Sequence, residues 1–245
     1  KANEIPVVDY VWFYRNAWKR HREDVIKDIE ERLVYPMFVK PANLGSSIGI
    51  NKAKDKTGLI ESIEVAIQFD RKVIIEQAVE NPREINCAVL GIDDHVEASY
   101  CEEPLGWKEV LTFADKYFTG GKKGPSKVGS KGTGNSARDI PAKISDEMRD
   151  EIERLAIQSF MAIDAAGTAR IDFLIDSEGK ILVNEINTLP GSLGYYLWTG
   201  KGIDFKDLIT RVLDMAFDRH REIEENLCVH DVDLYSNTGY GSKLS

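Results

Sequence analysis

Two β-rich runs, Ala169 to Ile175 and Lys180 to Ile186, are separated by Asp176-Ser177-Glu178-Gly179, which has the composition of a hairpin turn. Alternate side chains of a strand point to opposite faces, so Arg170, Asp172 and Leu174 share one face and Ile171, Phe173 and Ile175 the other. On the returning strand Glu185 and Asn187 share a face, and a turn centred near Glu178 sets Asp172 opposite Glu185. Three oxygen-bearing side chains then converge. Asp, Glu and Asn are hard oxygen donors, and an incomplete octahedral set of them suits Mg²⁺, which keeps positions open for water and phosphate oxygens. Arg170 beside them is placed to neutralise an anionic intermediate. The plainer alternative is a surface hairpin with an Arg-Asp-Glu ion pair. It explains the charges but not Asn187 followed by Thr188-Leu189-Pro190-Gly191.

The elements that must position these residues read as an α+β chain. Val7 to Arg15 holds a short strand, and the charged segment Asn16 to Leu33 is expected as an exposed helix, its apolar residues being too sparse for a buried one. Tyr35 to Pro41 is a compact apolar run closed by proline, and a polar loop, Gly45-Ser46-Ser47-Ile48-Gly49, follows it. A helix over Thr57 to Phe69 precedes the strand Lys72 to Val79, near which the organisation breaks. Arg83 to Leu90 and His95 to Tyr100 form a meander around Gly91-Ile92-Asp93-Asp94. Ser145 caps a helix that runs to Ala166, and Phe205 to Glu225 is a second amphipathic helix.

Between them, Gly120, Gly121, Gly124, Gly129, Gly132 and Gly134 alternate with Lys122, Lys123, Lys127 and Lys131, with almost nothing apolar. Such a stretch is a lid that closes over a ligand or a plain interdomain linker.

Composition narrows the function classes. The 245 residues are 42% hydrophobic and 30% charged, with a net charge of −9, so a sizeable core is expected and nonspecific nucleic-acid binding is not. No apolar run approaches the roughly 18 residues of a membrane helix. Three cysteines, Cys87, Cys101 and Cys228, are too few and too far apart for a disulfide framework or a CxxC metal site, and a reducing cytoplasm is expected. The start, Lys1-Ala2-Asn3-Glu4-Ile5-Pro6, reads like the middle of a longer chain.

Lys40-Pro41, Gly45-Ser46-Ser47-Ile48-Gly49, Asp172, Glu185-Ile186-Asn187 and Pro190-Gly191, in this order and spacing, resemble the D-alanine:D-alanine ligases of the ATP-grasp fold. The likeness runs from about Ile5 to about Leu213, without the family's usual N-terminal domain. It implies two α+β subdomains, expected over 1–75 and 76–245, with a mobile loop over about 112–138.

The resemblance further implies ATP held between the subdomains, Lys40 and Lys116 on its phosphates, and Ser46 and Ser47 under a closing loop. Glu76, Gln77 and Val79 resemble the strand that reads adenine, although Glu76 is also an ordinary strand-end charge. Glu84 resembles the ribose carboxylate. Tyr117 pairs with Lys116 on the second-substrate side, and Lys116 is otherwise a solvated loop residue. Asp172, Glu185 and Asn187 are implied as ligands of two Mg²⁺, with Mn²⁺ as a substitute, and Arg170 as the stabiliser of the tetrahedral oxyanion. The implied partners are D-amino acids and, as is common in the family, a second copy in a homodimer.

Ser192-Leu193-Gly194-Tyr195-Tyr196-Leu197-Trp198 departs from the family's Phe-Thr pair and downstream serine, which opens the acceptor's identity. Glu76-Gln77-Ala78-Val79 also resembles the vancomycin-resistance branch, which joins D-alanine to D-serine or D-lactate. Other carboxylate-amine ligases of the fold, or a nucleotide-binding fragment without catalysis, are the remaining readings.

Overall fold

The computed structural model describes residues 3–45, 48–105 and 138–225. The first sheet has the order β1-β4-β2-β3, from β1 (Tyr10–Tyr14), β2 (Met37–Pro41), β3 (Asn51–Ala53) and β4 (Lys72–Gln77), each pair antiparallel. Alternation splits it: Val11, Phe13, Met37, Val39, Val73 and Ile75 are buried with Leu59, Ile63 and Ala66 of α3 (Lys56–Phe69). Lys40 and Glu76 therefore project from the other face. Asp55 starts α3 by accepting the Gly58 N–H at 2.8 Å.

The charged segment after β1 corrects the expectation of one exposed helix. It forms α1 (Arg15–Arg20) and α2 (Arg22–Arg32), broken at His21, and it buries Trp18, Ile26, Ile29 and Leu33. Ile26, Ile29 and Leu33 make a narrow stripe, and Trp18 stacks on Phe13 while donating Nε1–H to Glu64. A stripe that thin suffices because it lies on a sheet face already apolar.

The second sheet has the order β7-β6-β5-β8-β9: β5 (Arg83–Ile92), β6 (His95–Pro104), β7 (Arg138–Asp139), β8 (Gly167–Ile175) and β9 (Ile181–Asn187). One face buries Ile85, Cys87, Val89, Ile171 and Phe173 against Ile152, Leu155, Ala156 and Phe160 of α4 (Asp146–Met161). Each large side chain there contributes about 1.5–3 kcal/mol, so Phe160→Ala is the change that breaks this contact. Ser145 caps α4 by accepting the Met148 N–H. The β5–β6 hairpin closes on Asp93-Asp94, and Gly91 is required beside it because a Cβ there falls 2.3 Å from the His95 carbonyl oxygen.

The other face is apolar at one end, where Ala88 and Leu90 meet Leu197, Trp198, Ile203 and Leu208. These come from two 3₁₀ turns (Gly191–Leu197 and Thr199–Lys201) and α5 (Phe205–Glu225). At the other end the same face is charged. Residues 3–9 tie the sheets together, Val183 N–H donating to the Pro6 carbonyl and Val7 bridging to Val183. No helix among the described residues is long and apolar enough to cross a membrane.

Candidate active site

The hairpin residues come together as their spacing predicts. Asp172 pairs with Glu185 and Arg170 with Asn187 across β8–β9. The phase is set by an irregularity: the register shifts between Asp172 and Phe173, which leaves Asn184 as an extra residue in β9. Val183 and Ile186 then both face the α4 core, while Glu185 and Asn187 rotate onto the face of Asp172.

Asp172 is only 4% exposed. Arg170 grips it with Nε on Oδ1 at 2.6 Å and Nη2 on Oδ2 at 2.7 Å, a bidentate pair. The Asn187 amide donates to Asp172 Oδ2 at 3.0 Å and to Glu185 Oε1 at 3.1 Å. Burial pushes the Asp172 carboxyl above the usual range, outweighing Arg170, and Glu185 adds to the rise. Burial pulls the Arg170 guanidinium down, but the bonds and charge of Asp172 more than reverse this. Glu84, next along the same face, is raised by burial and by the charge of Asp172.

Two carboxylates, each about 3 Å from the one Asn187 amide between them, fit a hard divalent ion whose remaining positions go to water and phosphate. Turning the Asn187 amide about its last bond replaces its NH₂ by its oxygen at the same point. Among the described residues no three His, Cys, Asp or Glu side chains are gathered at one point, here or elsewhere, so the candidate set is two carboxylates and the Asn187 amide.

Across the molecule, Lys40 forms an ion pair with Glu76 in a mostly buried setting. The Gln77 side chain is committed to the chain before β2, accepting from Val34 N–H at 2.9 Å and donating to the Pro36 carbonyl at 3.2 Å. Gln77, Val79 and Glu80 line a cavity of about 280 Å³, bordered on the far side by Asp176 and Lys180 of the β8–β9 turn and Leu182 of β9. Ser46, Ser47, Lys116, Tyr117 and the loop 112–137 lie outside the described residues.

Sequence reasoning missed four residues on this face. Asn86 pairs with Asp172 on one side and with Glu102 on the other, so Glu102, Asn86, Asp172 and Glu185 form one row across β6, β5, β8 and β9. Arg138 pairs with Glu102 at 3.6 Å and lies 4.7 Å over the ring of Tyr196. Tyr196 stands beside both Glu102 and Arg170, and burial and the Glu102 charge raise its phenol. The signal was present: Cys101 faces the core, so alternation turns Tyr100 and Glu102 toward the site.

Two antiparallel sheets, one of four strands presenting Lys40 and one of five presenting the Asp172 and Glu185 carboxylates, each with helices packed on it, make the ATP-grasp arrangement. The family model for the D-ala D-ala ligase C-terminus matches residues 1–214, and the chain belongs to that family. It is 38% identical over 235 residues to a D-alanine–D-alanine ligase of Thermosipho africanus, covering 96% of this chain and 60% of the relative. A D-alanine–D-alanine ligase of Bacillus cytotoxicus is 40% identical over 217 residues, covering 87% and 56%. Among solved structures, the VanG D-Ala:D-Ser ligase from Enterococcus faecalis superposes with a TM-score of 0.70 at 28% identity, over 87% of this chain and 58% of that one. The D-alanine-D-alanine ligase from Coxiella burnetii gives 0.68 at 25% identity, over 91% and 55%. The chain thus spans somewhat over half the length of these relatives.

Proposed function

We propose that the protein containing this chain joins D-alanine to a second D-alanine with ATP, through an acyl phosphate, to make a peptidoglycan precursor. The observation that carries this reading is the cluster of Arg170, Asp172, Glu185 and Asn187 on the open face of the second sheet. The carboxylate of the first D-alanine attacks the γ-phosphorus and ADP leaves. The amine of the second attacks the acyl carbon, the carbon–oxygen bond breaks, phosphate departs and the nitrogen gives up its proton to water.

Each residue has a role in that sequence. Lys40 exchanges Glu76 for phosphate oxygens, Gln77 and Val79 border the base, and Glu84 receives the ribose hydroxyls. Asp172, Glu185 and Asn187 would hold two Mg²⁺, or Mn²⁺ in their place, and the bound ions would supply charge neutralisation for the transferring phosphoryl group. Arg170 spends two of its five N–H donors on Asp172 and turns the others to the oxyanion. Ser46, Ser47, Lys116 and Tyr117 complete the phosphate and substrate contacts. We place the subdomain boundary beside the segment joining β4 and β5, near the expected division into 1–75 and 76–245. Two free, buried cysteines, Cys87 and Cys101, support a reducing cytoplasm, and a homodimer is the proposed assembly.

D-serine is the alternative acceptor, favoured by the likeness to a D-Ala:D-Ser ligase. Incubating the full-length protein with Mg²⁺, ATP and D-alanine, alone or with D-serine or D-lactate, and weighing the products decides. A D-alanine homodipeptide is expected. A mixed D-alanine:D-serine product assigns the alternative, and ATP binding without any dipeptide overturns both.

A further inference from the structure

Glu102 and Asn86 face each other across β5–β6, are 5% and 3% exposed, and each carries an oxygen with no donor in hydrogen-bonding geometry among the described residues: Glu102 Oε2 and Asn86 Oδ1. Directly opposed side chains on antiparallel strands start about 4.5–5.5 Å apart at Cβ, so one small group can meet both. Leaving such an acceptor unsatisfied costs about 1–3 kcal/mol, and more when it is charged. Two adjacent orphans that are both acceptors call for a donor, and a cationic one.

Arg138 is not that donor. It reaches Glu102 only at 3.6 Å and on the other oxygen, Oε1, while its guanidinium covers Tyr196. A metal ion lacks the ligands, since among the described residues no third carboxylate, histidine or cysteine joins the pair. An ammonium fits, with three N–H donors and one positive charge. The pair lies one and two strands from Asp172, about 5 and 10 Å along the row, and Tyr196 connects Glu102 to Arg170. The pair therefore lies on the face that carries Arg170, beside the position where an acyl group would be held.

We infer that Glu102 and Asn86 form the ammonium subsite for the second, amine-bearing substrate. This rests on the ligase reading above. It makes the pair a determinant of amine over hydroxyl acceptors, because a hydroxyl brings no charge to Glu102.

The test uses the full-length protein saturated with Mg²⁺ and ATP. The first measurement is binding of D-alaninamide, a cation without a carboxylate, followed by saturation-transfer NMR; the second is ligation with D-alanine and with D-lactate as acceptors. Glu102→Gln, nearly isosteric, is expected to weaken D-alaninamide binding and raise the acceptor KM for D-alanine at least tenfold, with ATP affinity unchanged and the KM for D-lactate within threefold. Asn86→Leu separates this from a structural role: removal of an orphan acceptor leaves stability equal or higher, yet the D-alanine KM is expected to rise severalfold. Binding and KM unchanged in both variants, or no D-alaninamide binding to the wild type, overturns the inference. If ligation fails but D-alaninamide binds the wild type and not Glu102→Gln, the ligase reading falls and the ammonium subsite stands.

Discussion

Removing Arg170 should expose how much of this site is held by one ion pair. Its side chain is bound twice to Asp172, at 2.6 and 2.7 Å, and the carboxylate is almost fully buried. Breaking a buried pair by deleting one partner costs about 3–5 kcal/mol, because the surviving charge is left desolvated. Asp172 keeps the Asn187 amide at 3.0 Å, which offsets about 1 kcal/mol. Arg170→Ala should therefore lose about 2–4 kcal/mol near neutral pH. The loss should depend on pH with a definite sign. Burial already holds the Asp172 carboxyl above its usual range, and without Arg170 it rises further, so the folded state binds this proton more tightly than the unfolded chain. Stability is penalised above the folded pKa and recovers as pH falls through it. Urea unfolding at about pH 8 and about pH 5 measures both effects, and Arg170→Met with Asp172→Leu should restore most of the stability. A loss below about 1 kcal/mol, or one equal at the two pH values, refutes the reasoning. In the same variant, turnover read where the protein is folded should fall about 10²-fold or more with ATP affinity little changed.

Glu185→Gln should weaken Mg²⁺-dependent nucleotide binding by about tenfold or more without altering the fold, and an unchanged metal titration would remove the metal assignment. Gly91→Ala should destabilise by about 1–3 kcal/mol, since the new Cβ meets backbone at His95 and Val96 and not a side chain able to move; a Tm within a degree or so of wild type would contradict this. Burial pushes the Asp70 carboxyl up, but the N–H groups of Lys72 and Asn43 outweigh it and hold it below the usual range. Its stabilisation is therefore present above the ordinary carboxylate pKa and lost as pH falls through the lowered value. Asp70→Asn should flatten that part of the acid-unfolding curve, and an identical curve would disprove the role.

The hairpin was legible because its turn residues and its alternation agree, and both survive in β8 and β9. The extra residue at Asn184 was not legible. No local composition marks it; with it, Ile186 packs partly buried against the core while Glu185 and Asn187 turn away from it. Asn16 to Leu33 misled for a related reason: hydrophobic density along the segment is low, but burial depends on the apolar sheet beneath it, which comes from residues far away in sequence. Glu102 was passed over because the strand was ended at Tyr100, two residues before the side chain that reaches the site.

Those omitted residues change how the site's energetics are understood. Lys40 rests on Glu76, Arg170 on Asp172, and Arg138 on Glu102, so each of these three cations among the described residues already has a carboxylate partner. A substrate phosphate or carboxylate then arrives by exchange of one anion for another and not by filling an isolated positive charge. Exchange keeps the fold from carrying unpaired buried charge, which would cost several kcal/mol per group. It also limits ground-state affinity, since every new contact is offset by a broken one. On the proposed ligase reading, the excess stabilisation goes to the state with more negative charge than the carboxylates displaced, namely the transferring phosphoryl group and the tetrahedral oxyanion. Glu102 Oε2 and Asn86 Oδ1 are the exception in this row: Arg138 pairs with the other Glu102 oxygen, so an incoming ammonium breaks no hydrogen bond at these two atoms, and on the proposed ligase reading the face should discriminate most sharply at the amine.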